Sequence, residues 1–167
     1  MQTSGIPKLI YVLLAAAGLL YFSFLYPQLP AIMPSHFNAG GVATAWMPKS
    51  GFFFLFAFVM AFASVPAFLV PWLIAAKSDD KINLPNKEYW LAPERRNETI
   101  RYLGVQMGWF GCALLAMLLC GFYFAVSASL KPDHSFDSNS FYVALAVFLV
   151  FSVSLPVRLL SHFRNKS

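Results

Sequence analysis

The stretch that decides the fold is YLGVQMGWFGCALLAMLLCGFYFAVSAS, residues 102–129, which contains no Asp, Glu, Lys or Arg. As an α-helix rising 1.5 Å per residue, it is long enough to cross the ~30 Å hydrocarbon core of a bilayer. Three further apolar stretches of spanning length occupy about residues 6–26, 51–76 and 141–160. The sequence therefore predicts an all-α integral membrane bundle of four transmembrane helices.

The composition supports this prediction, because 59% of the residues are hydrophobic, 11% are charged, and the mean hydropathy is +0.62. Soluble domains have roughly 45–50% apolar and about 25% charged residues. We expect one membrane domain over residues 1–167, with the lipid bilayer as its first partner and three connecting segments, 27–50, 77–101 and 130–140. The net charge of +5 reflects orientation in the membrane rather than nucleic-acid binding.

The orientation follows from the distribution of Lys and Arg. Ten of the twelve lie near the N-terminus, in segment 77–101 or in the C-terminal tail, which ends with Lys166. Only Lys49 and Lys131 lie in the other two segments. The positive-inside rule then predicts both termini in the cytoplasm and segments 27–50 and 130–140 outside, in the inner (plasma) membrane of a bacterium. The first stretch exceeds the apolar core of a signal peptide, so we expect a retained span.

Several residues inside the spans have structural interpretations. Pro66 and Pro71 predict a kink near the end of the second span, because proline removes backbone donors. A stripe of small residues in the third span favours close approach of a neighbouring helix; it comprises Gly104, Gly108 and Gly111. Cys112 and Cys120 lie about 12 Å apart on one helix, too far for a disulfide, and are expected to be buried.

Polar groups are almost excluded from the spans. All seven carboxylates fall in the connecting segments, which argues against an ion-coupled pump. Gln106 is the most polar residue well inside a span, and we expect it to form one interhelical hydrogen bond. Chemistry is therefore expected in the connecting segments.

Segment 27–50 has the composition of a fixed structure. Four prolines restrict it, while Asn38, Gly40 and Gly41 favour a turn with positive φ. Polar and aromatic side chains within it are suited to hydrogen bonding and to anchoring at the membrane interface. We select as candidate partner-binding residues Pro34, His36, Phe37, Asn38, Gly40, Trp46 and Lys49.

Pro30, the motif PSHFN at residues 34–38, Gly40, Trp46 and Lys49 together resemble the signature of the membrane domain of unknown function numbered 1648. That domain also forms the N-terminal part of Sdp-type toxin-immunity proteins. The resemblance implies a membrane protein with immunity-like recognition of a peptide, although the family name itself implies no chemistry. Family members usually carry an acidic residue between the glycine and the tryptophan, where this chain has Thr44 and Ala45. From the length of 167 residues we expect no second multi-span domain of the kind found in the immunity proteins.

Segment 77–101 is predicted to lie on the membrane surface as a helix leading into the third span, with Pro93 in its first turn. Its aromatic side chains then enter the headgroup region and its arginines meet anionic lipid. The alternative is a cytoplasmic docking surface. The candidate residues for docking or lipid contact are Asn86, Tyr89, Trp90, Glu94, Arg95 and Arg96.

Motifs for catalysis or for a tightly held cofactor are absent from the sequence. There is no His-Glu-x-x-His, no Gly-x-Ser-x-Gly and no phosphate-binding glycine loop. His36 and His134 have nitrogen ligands that suit zinc, but their spacing defines no site, and we expect His36 to hydrogen-bond within its own segment. We therefore predict no catalytic residues, no metal and no cofactor.

Two functions compete on this basis. The favoured one is a non-enzymatic receptor, immunity-like or interaction protein that recognises a peptide or envelope partner through segment 27–50. The alternative is a small transporter or permeation subunit, compatible with a homo-oligomer, whose pathway uses Pro66, Pro71 and the glycine stripe. A weaker third option is a membrane enzyme that uses His36 and His134.

Overall fold

The computed structural model describes residues 5–165 and contains four helical stretches long and apolar enough to cross a membrane. The first is α1 (Ile6–Leu25). The second is α2 (Lys49–Ser64), which continues through a π-helical turn (Val65–Leu69) into α3 (Val70–Ala76). A short α4 (Lys87–Trp90) precedes the third and fourth, which are α5 (Arg96–Ser129) and α6 (Ser138–Arg164). The predicted four-span helical bundle is confirmed.

The observed helices extend beyond the predicted spans. Helix α5 begins at Arg96 rather than near residue 102, and α6 continues to Arg164. The first turns of α5 are polar and carry an ion pair between Arg101 and Glu98 with an N–O distance of 3.5 Å. Lys166, the last basic residue counted for orientation, lies outside the described residues.

Helix α5 is the centre of the bundle, because α1, α2, α3 and α6 all pack against it. Its glycine stripe permits this packing. A Cβ on Gly108 would lie 2.8 Å from the Pro7 Cβ of α1, and a Cβ on Gly111 would lie 2.7 Å from the Ala67 Cβ in the π-helical turn. The buried Cys112 Sγ–H donates to the Pro7 carbonyl at 3.1 Å. The expected close approach of neighbouring helices is therefore observed.

The prolines of the second span produce a π-helical turn. Pro66 lies within this turn and Pro71 follows it, so each removes a backbone donor from the ladder. The Val70 N–H donates instead to the Val65 carbonyl, an i→i+5 hydrogen bond, and the helix then continues as α3. At the prolines for which a kink was predicted, the span therefore contains one π-helical turn and then continues as an α-helix.

Segment 27–50 contains an antiparallel hairpin, β1 (Ile32–Phe37) and β2 (Ala43–Pro48), which adds a small sheet to the helical bundle. The turn is closed by the Asn38 Oδ1, which accepts from the N–H groups of Gly40 and Val42 at 3.0 Å each. Gly41 has a φ of +79°, as the sequence predicted for this turn. Sequence patterns did not indicate the strands.

The two ends of the bundle are built differently. At the hairpin end, residues 130–137 dock onto the hairpin, where the Ala43 N–H donates to the His134 carbonyl and the Phe136 N–H to the Gly41 carbonyl. The opposite end holds the N-terminus of α1, segment 77–95 and the C-terminus of α6. The surface helix predicted to start at Pro93 is not formed, since α4 is a single turn and α5 starts at Arg96.

Candidate functional site

The hairpin is fixed to the bundle by an apolar cluster beneath β1. Met33 is 0% exposed and packs with Phe22 of α1 and with Phe52 and Phe56 of α2. The rings of Phe22 and Phe56 are stacked with centroids 4.7 Å apart. These contacts bury large side chains from α1, β1 and α2, so they set the position of β1 on the bundle.

Lys49 fixes the hairpin from the other side. Its Nζ donates to the carbonyls of Leu29 at 3.0 Å and Tyr26 at 3.2 Å, and lies 4.7 Å from the centroid of the Tyr26 ring. The carbonyls that follow the end of α1 have no donor in a further helical turn, and Lys49 supplies one. The structure thus gives this predicted partner-binding residue a structural role.

A groove with a cavity volume of about 690 Å³ lies beside the hairpin, between α2 and α6 and against α5. Its walls are rich in aromatic rings, including Phe52 of α2, Phe122 of α5 and Phe141 of α6. Residues 34–39 line it along the hairpin side. The lining contains no Asp, Glu, Lys or Arg, so the groove is suited to an uncharged, mainly apolar ligand.

Four of the seven predicted partner-binding residues line this groove: Pro34, His36, Phe37 and Asn38. His36 is exposed, and in the described part of the chain its side chain forms no hydrogen bond, contrary to the bond expected within its own segment. Tyr142 of α6, which the sequence did not single out, donates its hydroxyl to the Ala39 carbonyl at 3.1 Å. The groove therefore has a polar rim above aromatic walls.

The other predicted residues lie outside the groove. Trp46 packs edge-on against His134, with ring centroids 4.7 Å apart, and Gly40 belongs to the turn. His134 has a positive φ of 47°, and its buried Nδ1 has no hydrogen-bond partner among the residues that are described. No group of three His, Cys, Asp or Glu residues that could hold a metal occurs within residues 5–165.

Two exposed carboxylates order the segment that docks onto the hairpin. A hydrogen bond from the Ser135 hydroxyl holds the pKa of Asp133 below its ordinary value, and a hydrogen bond from the Ser140 hydroxyl does the same for Asp137. The Asp137 Oδ1 also accepts from the Asn139 N–H at 3.1 Å, which caps the start of α6. These contacts fix the end of α6 that borders the groove.

The groove walls were not predicted, because they come from spans that were interpreted as structural. Gly121 of α5 was also not singled out, and a Cβ added there would meet nothing within 4 Å. That glycine faces the groove.

The opposite end of the bundle forms a clasp, which we define as residues 86–96 closing on the C-terminus of α6. The Asn86 Nδ2 and the Trp90 Nε1 both donate to the Phe163 carbonyl, at 3.1 and 3.0 Å. His162 packs between Trp90 and Tyr102, with ring centroids 5.1 and 4.1 Å away. The last carbonyls of α6 therefore receive side-chain donors in place of a further helical turn.

The remaining predicted residues of this segment also have intramolecular partners, apart from the exposed Glu94. The Arg95 Nε donates to the Tyr89 carbonyl at 2.8 Å, and its guanidinium lies 4.0 Å from the Tyr89 ring centroid. The Arg96 Nε pairs with Asp79 at 2.7 Å. The structure therefore places these arginines in contacts that hold the segment together.

Part of the chain matches a protein family. The family model is that of a domain of unknown function, DUF1648, and the match covers residues 13–61. Residues 13–61 are therefore similar to a DUF1648 domain. The predicted resemblance is thereby confirmed, and the DUF1648 segment runs from within α1 through the hairpin into α2. No curated protein and no solved structure matches the chain.

Proposed function

We propose that this protein is a non-enzymatic membrane receptor or interaction protein that binds a peptide or envelope partner in the groove beside the DUF1648 hairpin. The observation that carries the proposal is the groove itself, a volume of about 690 Å³ walled by aromatic side chains and rimmed by polar ones. Ligand sites are typically concave, 300–1,000 Å³ in volume and mainly apolar, with a few polar groups that orient the ligand.

The proposal includes an orientation with this groove on the outer side of a bacterial inner membrane. The distribution of Lys and Arg favours the clasp end in the cytoplasm and the hairpin end outside. On this orientation the groove meets ligands that arrive from the envelope. Recognition of a peptide toxin, which the immunity-like resemblance implies, is one instance of such a function.

A binding role is favoured over catalysis because the groove offers little acid–base chemistry. Its titratable lining side chains are His36 and Tyr142, and the Tyr142 hydroxyl is already committed to the Ala39 carbonyl. Catalysis generally requires a nucleophile or base oriented by a further group. His36 has no such partner in the described structure.

The transport alternative depends on Pro66, Pro71 and the glycine stripe forming a pathway. In the structure these residues pack together instead, since Gly111 meets Ala67 and Gly104 meets Pro71. Close packing of this kind favours helix association over an open path between the helices.

Site-specific photo-crosslinking in cells tests the proposal. A photoreactive phenylalanine analogue is placed at Leu55, which lines the groove and is 41% exposed. The matched control has the same analogue at Phe58, which is 68% exposed on the same helix but outside the groove. We expect a discrete adduct from position 55 that is absent from position 58. Identical adducts from both positions, or none from position 55, would contradict a ligand groove.

A further inference from the structure

The groove beside the hairpin is open to the lipid-facing surface of the spans. Leu55 of α2 lines the groove and is 41% exposed. It lies within a helical stretch that is long and apolar enough to cross a membrane, so a side chain exposed there faces hydrocarbon. A ligand can therefore enter the groove sideways, from the bilayer.

The lining changes from polar to apolar along the groove. Its hairpin end carries two hydroxyls and an imidazole, on Ser35, Ser138 and His36. On α2 the lining residues from Phe52 to Val59 are all apolar, over a rise of about 10 Å at 1.5 Å per residue. This depth lies within one half of the ~30 Å hydrocarbon core. The profile matches a membrane lipid, which has a polar head above a hydrocarbon chain.

The polar side chains at the hairpin end are available to a ligand. Those of Ser35, His36 and Ser138 form no hydrogen bond with any other residue of the described part of the chain. Ser35 and Ser138 are only partly exposed, and a hydroxyl that is withdrawn from water is stabilised by a hydrogen-bond partner. A lipid head that donates and accepts hydrogen bonds supplies such a partner.

The charges around the groove select against a phosphate-bearing head. The lining contains no Lys or Arg. Lys49 is committed to the carbonyls at the end of α1, and Lys131 does not line the groove. An anionic phosphate would therefore give up its hydration without gaining a cation.

We propose that the groove binds an uncharged membrane lipid of the diacylglycerol type, with one acyl chain against the aromatic walls and its hydroxyl head at Ser35, His36 and Ser138. The proposal rests on the proposed function and names the class of envelope partner. The chain gains little on leaving the bilayer, because lipid tails are as apolar as the side chains that they meet. The hydrogen bonds of the head therefore determine which lipid is retained.

An extended peptide is the competing occupant. Each of its residues carries a backbone donor and acceptor, which cost free energy when they are buried without partners. Below the hairpin end, the lining side chains of α2 and α5 offer no donor or acceptor nitrogen or oxygen. An acyl chain has no such groups to satisfy, so the lining favours the lipid.

The test uses the full chain in phosphatidylcholine nanodiscs that contain a trace of photoreactive diacylglycerol or of phosphatidylglycerol, with the same diazirine on the same acyl carbon. Mass spectrometry then compares labelling of residues 117–122, which include the groove lining on α5, with labelling of residues 147–153 on α6. The latter report bulk lipid, since Val147, Val150 and Val153 are at least 66% exposed. We expect this ratio to be about 5-fold higher or more for diacylglycerol, the effect of at least one net hydrogen bond.

Two pairs of variants locate the head and the chain. Ser138→Ala should lower the ratio for diacylglycerol about 5-fold, whereas Ser50→Ala, exposed and outside the groove, should leave it unchanged. Gly121→Phe fills the groove from α5 and should abolish the preference for diacylglycerol. Gly51→Phe places the same ring in open space outside the groove and should preserve it, with equal helical content for both.

The lipid proposal and the proposed function fail separately. Equal ratios for the two lipids, unchanged by Ser138→Ala, would refute recognition of an uncharged head. A preference that survives Gly121→Phe would refute the groove as its site. A polypeptide adduct at position 55 in cells would overturn the lipid proposal and leave the proposed function standing, whereas the absence of any discrete adduct there would overturn both.

Discussion

The packing of α5 makes opposite predictions for two glycines of the same helix. Gly111 faces the π-helical turn, where an added Cβ would lie 2.7 Å from the Ala67 Cβ and 3.0 Å from the Ala67 nitrogen. Gly121 faces the groove, where an added Cβ meets nothing within 4 Å. Alanine is the smallest substitution that distinguishes these surroundings.

The expected difference in unfolding free energy between the two alanine variants follows from two opposing effects. Replacing a helical glycine with alanine stabilises the helix by up to about 1 kcal/mol, and Gly121→Ala should show this gain alone. Gly111→Ala gains the same amount but forces carbon atoms well inside their optimal separation of about 3.5–4.0 Å. Overpacking of this kind costs roughly 1–3 kcal/mol. We therefore expect Gly111→Ala to be less stable than Gly121→Ala by roughly 1–3 kcal/mol.

The assay is reversible unfolding in mixed micelles with increasing dodecyl sulfate, followed by far-ultraviolet circular dichroism. The two variants have the same composition and lie on one helix, so effects on the unfolded state largely cancel in the comparison. Equal midpoints for the two variants, or a more stable Gly111→Ala, would refute the close approach of α5 to the π-helical turn.

Three further predictions concern the contacts around the groove and the clasp. Lys49→Met should destabilise the protein by roughly 2–3 kcal/mol, because two carbonyls lose a charged donor, and thermal unfolding measures the change; an unchanged midpoint would show that water replaces the ammonium group. Trp90→Phe removes the indole donor from the Phe163 carbonyl and should accelerate hydrogen exchange in the last turn of α6 about 5-fold, with the first turn of α6 as the internal control. Asp133 and Asp137 have lowered pKa values, so the ordering they provide is present above the ordinary carboxyl pKa of 3.8 and is lost as pH falls below it. A carboxyl titration by nuclear magnetic resonance that gives values at or above 3.8 would contradict this.

The four spans were predictable because each depends on one local property, a long run of apolar residues. The bundle could be predicted from this property without knowledge of how the helices meet. The ends of α5 and α6 could not be predicted in this way, since their polar outer turns are stabilised by contacts with distant parts of the chain. Arg96, for example, pairs with Asp79, seventeen positions away.

The hairpin was missed because proline argues against strands. Pro34 lies inside β1 and Pro48 ends β2, and a proline cannot donate to a ladder. Both positions are of the kind that tolerates proline, a free edge and a strand terminus. The sequence does predict the turn, since Asn38 and Gly41 act locally.

The clasp was interpreted as a membrane-surface helix because tryptophan and arginine are common at lipid interfaces. The structure uses Trp90 and Asn86 to satisfy carbonyls of α6 more than seventy positions away. Asn86 reaches them from a left-handed backbone conformation with a φ of 50°. Pairings of this length leave no periodic signal in a single sequence.

The extent of the DUF1648 match bears on how the groove recognises its ligand. Residues 13–61 include the hairpin, the cluster of Phe22, Met33 and Phe56 beneath it, and the first wall of the groove on α2. The second wall, on α5 and α6, lies outside the match. On the proposed function, the DUF1648 segment supplies the hairpin side of the groove and its wall on α2. The aromatic rings of α5 and α6 form the opposite wall, so exchanging Phe122 or Phe141 for alanine should change or abolish the adduct captured by a photoreactive residue at position 55, because each exchange removes a ring that would contact the ligand.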